Sequence, residues 1–330
     1  MKFPLLHMPQ RVARSLAVSA ALSAAAAAVF AMACAARPQN GGQAATRAKT
    51  TRAVSAPQAP SAEEVKARAK RLIANQHTND AALDEYERVE RYQDFTSGAN
   101  PQIIEDKLYR VVPDGGGMLK ILLKDKGAPT DPADYRRQLQ LWQDILQRMI
   151  QQPGDSKAQA AREKYEKRQR ERSDFVDAAG DAYTVKWVGQ ENHGGHNCDI
   201  FELTPNPDFH PHSMFQSALT HVTAKIWVDH DTDELVRGEA HVLSDISFGG
   251  GLLGKLYRGG FVSIEEAEVA PGIWLPTRTE YEFTGRKFLF PFAEHQVIEA
   301  SHYRRLGSLQ DALAIVQNEL STGKTFSEDP

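Results

Sequence analysis

Two cysteines in 330 residues, Cys34 and Cys198, are too few for a disulfide framework. Basic residues are not in excess: 39 Lys and Arg stand against 43 Asp and Glu. The net charge of −4 excludes the cationic footprint of a nucleic-acid binder. Long apolar runs are missing after residue 36, and the mean hydropathy of −0.47 excludes a protein with several membrane-spanning helices. There is no C-x-x-C, no H-E-x-x-H and no G-x-S-x-G, so zinc and serine-hydrolase signatures are both absent. No internal repeat stands out. Hydrophobic residues at 41% and charged residues at 25% fit an ordinary folded chain rather than a disordered one.

The first 36 residues differ from the rest. Lys2, Arg11 and Arg14 are followed by an uncharged, alanine-rich stretch from Ser15 to Ala36. This predicts a secretory signal. Its 22 uncharged residues could also span a bilayer, but Ala and Ser are weakly apolar, so cleavage is the expected outcome. Arg11 and Arg14 are not adjacent, which argues against a twin-arginine signal. Loss of residues 1–36 removes three positive charges and takes the chain from −4 to −7. Cys34 follows Ala31-Met32-Ala33. That resembles a bacterial lipobox, with Ala31 where leucine is preferred, and it predicts a lipidated Cys34. Ordinary cleavage after the small-x-small triplet is the other reading. Residues 37–60 are rich in Ala, Gln, Thr, Pro and Gly and carry only positive charges, so they read as a flexible linker. As a random coil, a linker of that length spans about 27 Å.

Residues 61–330 read as one folded domain. Ser61 and Glu64 make a capping box, and Val65, Ala69, Leu72 and Ile73 share a helix face. From about Tyr86 the pattern is β-type, with a hairpin at Pro113-Asp114-Gly115-Gly116-Gly117. A helical insert over about 131–175 opens at Asp131-Pro132 and carries the stripe Leu139, Trp142, Ile145, Leu146, Met149 and Ile150. Strands follow: 183–188, 198–203, 222–228, 235–246, 256–269, 273–283 and 297–306. A helix is expected over 309–320. Long strands joined by short turns predict an α+β fold: a curled antiparallel sheet with helices covering its concave side.

The element order, together with Ala224-Lys225-Ile226-Trp227-Val228-Asp229, Leu235-Val236-Arg237 and Gly272-Ile273-Trp274-Leu275-Pro276, resembles the LolA/LolB-like superfamily of lipoprotein carriers and receptors. The resemblance covers roughly residues 61–306. It implies a half-barrel with a helical lid on the periplasmic side of a bacterial envelope. It brings no catalytic signature. In the receptor member an apolar loop touches membranes, which implies the same for Leu252 and Leu253; packing over the barrel mouth is the other reading for this pair.

Gly249 to Lys255 has the G-x-x-x-x-G-K spacing of a phosphate loop, but Leu256 replaces the required Ser or Thr, and Gly259-Gly260 would break the following helix. Nine of eleven histidines lie after residue 190. His193, His196, Cys198, His210 and His212 do not form a complete zinc set by spacing, so solvated loop histidines are expected and no metal. Glu265, Glu266 and Glu268 fall on both faces of a strand and define no acid–base pair. Strand alternation places Val222, Ala224, Ile226 and Val228 on one face, and Ile273, Leu275, Tyr281 and Phe283 on one face of a later strand. With Trp142 and Ile145 as a lid they are the expected lining of a cavity for lipid or lipoprotein acyl chains, without cofactor or reaction. The alternatives are an envelope interaction protein with a filled core and, third, a metal-dependent enzyme. An envelope membrane surface is a further expected partner.

Overall fold

The computed structural model describes residues 58–323 and 326. The signal segment 1–36, Cys34 and all but the last three residues of the linker lie outside the described residues.

Helix α1 (Ala62–Leu83) starts where Ser61 accepts the Glu64 N–H at 3.2 Å. It leads into β1 (Tyr86–Phe95), β2 (Ile103–Pro113), β3 (Met118–Asp125) and the short β4 (Ala128–Pro129). Asp131 caps α2 (Pro132–Gln151), and Asp155 caps α3 (Ser156–Ala182). The helical insert therefore runs seven residues past its expected end. Then come β5 (Tyr183–His193), β6 (His196–Pro205), the one-turn α4 (Met214–Leu219), β7 (Val222–Asp229) and β8 (Leu235–Val242). After β9 (Ile246–Phe248), β10 (Gly254–Leu256), β11 (Phe261–Ala270), β12 (Ile273–Lys287) and β13 (Phe290–Arg305), the chain ends in α5 (Leu309–Thr322). A Ser308–Asp311 capping box opens α5 and Gly323 at φ +67° closes it.

The 13 strands form one antiparallel sheet in the order β4-β3-β2-β1-β13-β12-β11-β8-β7-β6-β5, with β10 paired onto the end of β12 and β9 onto β10. It does not close: β4 and β5 are its edges, as in a curled half-barrel. Two expected strands are split. Residues 235–246 break at Asp245, whose carboxylate accepts the Arg258 N–H at 2.9 Å and pairs with Lys255. Residues 256–269 break at Gly259-Gly260. A Cβ on Gly260 would lie 2.5 Å from the Phe283 ring, so β11 can begin there only with glycine.

The pairing register fixes which side chains share a face. Ile226 pairs with Gly238, Gly238 with Ile264, Ile264 with Thr279, Thr279 with Ile298, Ile298 with Tyr92 and Tyr92 with Lys107. This is the inner face. Over β6–β8, β11 and β12 it is apolar, and Ala69 and Leu72 of α1, Phe175, Val176 and Ala179 of α3 and Leu219 of α4 pack on it. The opposite phase holds Val89, Arg110 and Ile121, which share the outer face. There Val112 and Ile121 pack against Tyr135, Leu139, Trp142 and Leu146 of α2 and Ala312 and Val316 of α5. The helices thus divide. Those on the concave side are α1, α3 and α4. Contrary to expectation, α2 and α5 cover the other face, because β2 and β3 present their apolar residues outward.

Between α2 and α3 the chain rounds the end of the β2–β3 hairpin. Gly115, at φ +83°, sits so close that a Cβ would lie 2.8 Å from Leu309, and Gly116 faces Ala161 of α3. From there α3, about 40 Å long at 1.5 Å per residue, runs to the far edge strand β5.

Candidate functional site

The surface most elaborately built from side chains is the seat of α1 on the sheet. Besides its apolar stripe, α1 carries a polar stripe at helical spacing: Arg68, Arg71, Asn75, Gln76 and Asn79. Arg68 is buried. Its Nη1 donates to Asp199 on β6, its Nε to Asp233 at 2.5 Å and its Nη2 to the Asp229 carbonyl at 3.1 Å. Arg71 donates to the other Asp233 oxygen at 2.5 Å, and Asn75 donates to the Thr232 and Asp233 carbonyls, each at 3.1 Å. The acceptors are presented by the β7–β8 turn, where Asp229 folds back onto the N–H groups of Asp231 and Thr232. Burial works against the charge of Arg68, but Asp199 and Asp233 outweigh it and hold its pKa above the ordinary value. Burial likewise opposes ionisation of Asp199. Contacts from His230, Trp187, Arg68 and Gln190 win, and Asp199 titrates below the usual range.

Further along α1 the balance reverses. Gln76 donates to Glu266 on β11 at 3.0 Å, and Asn79 donates to Glu234 at 2.9 Å while its carbonyl accepts the Trp274 N–H at 3.0 Å. Burial pushes Glu266 up to about 8 and Glu234 up to about 7, against the pull of those hydrogen bonds. One end of α1 is therefore held by ion pairs and the other by carboxylic acids that keep their protons near neutrality.

Beneath α1 lies an apolar void lined by Val65, Ala69, Leu72, Val185, Phe201, Ile226 and Val228, with Arg68 as its one polar wall. Its volume is about 10 Å³, room for roughly one water molecule. Of the expected lining, Ala224, Ile226, Val228, Tyr281 and Phe283 belong to this core, and Val222 packs at its margin. Ile273 and Leu275 do not. A register shift leaves Thr277 as an extra residue between Pro276 and Arg278, so alternation from Ile273 to Phe283 is interrupted and the four residues do not share a face. Trp142 is fully buried on the outer face, and Ile145 is half-buried on the same helix. Neither lies over β7.

The inner face of β1–β3 is polar. Arg88 donates to Glu90 at 2.6 Å, Tyr92 O–H donates to the other Glu90 oxygen at 2.5 Å, and the Lys120 ammonium sits 3.7 Å from the Tyr92 ring centroid. Burial lowers the pKa of Lys120, although Glu90 opposes this. An apolar wall thus continues into a charged one. Local pattern did not reveal this half, nor the polar stripe of α1. The signal available for the stripe was the spacing of Arg68, Arg71, Asn75, Gln76 and Asn79.

The remaining candidates sit apart. His196 lies 3.2 Å from Asp229 and His230 2.6 Å from Asp199, while His210 and His212 are exposed on the loop before α4. Cys198 is buried, and burial raises its pKa to about 11. Among the described residues no group of three or more His, Cys, Asp or Glu is placed to hold a metal ion. Gly249 to Lys255 forms a 3₁₀ turn and strand β10, not a strand–loop–helix unit. Leu252 and Leu253 project from it into solvent.

No protein-family model matches the chain, and no curated protein matches it. Solved structures do. An outer membrane lipoprotein-sorting protein domain from Vibrio parahaemolyticus is similar at 10% identity, covering 75% of this chain and 97% of that one, with a TM-score of 0.29. A DUF1329 family protein from Desulfovibrio piger is similar at 16% identity, with coverage of 74% and 95% and a TM-score of 0.27. A LolA superfamily protein from Nitrosomonas europaea is similar at 12% identity, with coverage of 71% and 94% and a TM-score of 0.27.

Proposed function

We propose that this is an exported envelope protein that holds lipid or lipoprotein acyl chains against its inner sheet face, beneath α1, without catalysis. The observation that carries this reading is the void under α1. It has an apolar lining, and its helical cover is attached through discrete polar contacts rather than by apolar packing alone. An acyl chain moved there from water gains about 0.8 kcal/mol per buried CH₂. The void is far smaller than such a chain, so binding requires α1 to rise from its seat. The second reading, an interaction protein with a filled core, is favoured by that small volume.

A fluorescent C16 fatty acid separates the two. Wild-type protein is expected to brighten the probe, and Ile226→Asp, on the lining, is expected to remove the effect. Native mass spectrometry of the purified protein should then find bound lipid. A folded wild type that leaves the probe dark and carries no lipid would establish the filled core instead.

Lipidation of Cys34 belongs to the same reading. Cys34→Ser is expected to shift the protein from the membrane fraction to the soluble one on cell fractionation. Wild-type protein found wholly soluble would point to ordinary cleavage.

A further inference from the structure

The charged half of the inner face holds a donor that the fold leaves unused. Arg88, Val111 and Lys120 stand in one row across β1, β2 and β3, so the two cations start about 10 Å apart with a short side chain between them. Both reach for the same carboxylate. Arg88 Nε donates to one Glu90 oxygen at 2.6 Å. The Lys120 ammonium lies 4.0 Å from the other oxygen, which accepts the Tyr92 O–H at 2.5 Å, and Lys120 itself donates to the Tyr92 hydroxyl. Burial opposes ionisation of Glu90, but Arg88, Lys120 and Tyr92 outweigh it and hold its pKa below the usual range. Two cations therefore face a single carboxylate whose two oxygens are both taken. The guanidinium is left unsatisfied. The Arg88 side chain is only 11% exposed, and its Nη1 is buried with no acceptor among the described residues. An unpaired buried donor in a folded protein calls for an acceptor from outside the chain, a water or an ion. The Lys120 side chain is 37% exposed, so solvent reaches the row from its β3 end.

We infer that Arg88 and Lys120 form a binding site for a phosphate group. The missing partner is an acceptor, because both side chains only donate. It is anionic, because the row carries two positive charges against one negative. A carboxylate presents its two oxygens in one plane. A phosphate presents its oxygens tetrahedrally and can accept at once from a guanidinium and an ammonium that approach from different strands. That chemistry is shared by free phosphate and by a phosphate ester with an apolar tail. The strand β1 lies five pairings from β7, so the inference does not depend on what binds beneath α1 at Ile226.

The test reads Lys120 itself. Burial and the neighbouring Arg88 lower its pKa although Glu90 opposes this, so its amine should react readily with acetic anhydride. A bound phosphate holds the proton on that amine. In the full chain, saturating inorganic phosphate is expected to slow acetylation of Lys120, followed by peptide mass spectrometry, at least about fivefold, with chloride at equal ionic strength as the reference. Lys164, exposed on α3, should keep its rate. Lys120→Gln and Arg88→Gln are each expected to weaken phosphate binding at least about tenfold in isothermal titration calorimetry. If Arg88→Gln does not fold, the pair Arg88→Gln and Glu90→Gln leaves no stranded carboxylate and should show the same loss. Octyl phosphate binding more than about tenfold tighter than inorganic phosphate would assign the site to an amphiphile, and equal binding would assign it to a soluble phosphate; both uphold it. Equal protection of Lys164, equal protection by acetate, or wild-type affinity in both single variants would each overturn the inference. So would the absence of protection by either phosphate, which would leave a water molecule as the partner of Nη1.

Discussion

Arg110→Ala is expected to destabilise the protein by about 3 kcal/mol, the low end for breaking a buried ion pair, because Glu87 keeps Arg304 as a second cation. Arg110 is wholly buried on the outer face of β2. Its Nε donates to Glu87 at 2.9 Å, and its Nη1 and Nη2 donate to Glu319 of α5 at 2.7 and 3.0 Å. The Tyr135 hydroxyl lies 3.3 Å from Nη1, and the guanidinium sits 5.3 Å from the Trp142 ring centroid and 4.8 Å from that of Phe326. Burial disfavours the charge, but Glu319 and Glu87 outweigh it and hold the pKa above that of a free arginine. One side chain therefore ties β1, β2, α2 and α5 together. Urea unfolding should show the loss as a lower midpoint. A loss below about 1 kcal/mol would mean that Arg304 alone satisfies Glu87 in the variant.

Glu266→Gln is expected to act in the opposite direction and to depend on pH. The carboxyl titrates near 4.5 in the unfolded chain and near 8 in the folded one, because burial raises it. Below about pH 4.5 both states hold the proton and its contribution to stability is complete. As pH rises toward 8 only the folded state keeps the proton, so stability falls across that window and stays low above it. The full excursion is on the order of 5 kcal/mol. Glutamine still offers Gln76 an acceptor and cannot ionise. Glu266→Gln should therefore lack this slope and exceed the wild type most at pH 9. Unfolding free energies measured from pH 5 to 9 check it, and parallel curves for the two proteins would show that Glu266 is already hydrated. Through Gln76, the same proton helps to seat α1.

Much of the architecture was written in short-range pattern. Ser61, Asp131-Pro132 and Ser308 mark helix starts, and Asp114 with Gly115 to Gly117 marks a hairpin, because capping and positive φ are local requirements. Val222 to Val228 alternates because β7 lays Ala224, Ile226 and Val228 on the helix-covered face. The face that α2 covers is a different kind of fact. It depends on the phase of β2 relative to β7, carried through six strand pairings. Extra residues such as Thr277 reverse that phase for everything beyond them. The expected alignment of Trp142 and Leu275 with Ile226 failed for this reason. The polar seat of α1 was hidden by distance. Arg68 meets Asp199 and Asp233 more than 130 residues away, and neither partner is unusual in its own neighbourhood. At the exposed tip beside the β12–β13 turn, Leu252 and Leu253 were legible as an apolar loop. Phe288 to Phe290 fell between the expected strands 273–283 and 297–306, and the pairing of Lys287 with Phe290 makes them a turn.

The seam between β1 and β13 has a consequence for how the chain is made. Tyr86 pairs with Arg305, so a central pairing of the sheet joins residues about 220 positions apart. During synthesis, β1 to β4 are complete while one long side of β1 still lacks its neighbour, and it stays open until the last strand emerges. Loop closure over that distance carries a large entropic cost before any hydrogen bond offsets it. Folding of this sheet is therefore a late event, governed by the arrival of residues 290–305. A chain that stops short of them keeps its N-terminal strands as an unpaired edge, open to association with other chains.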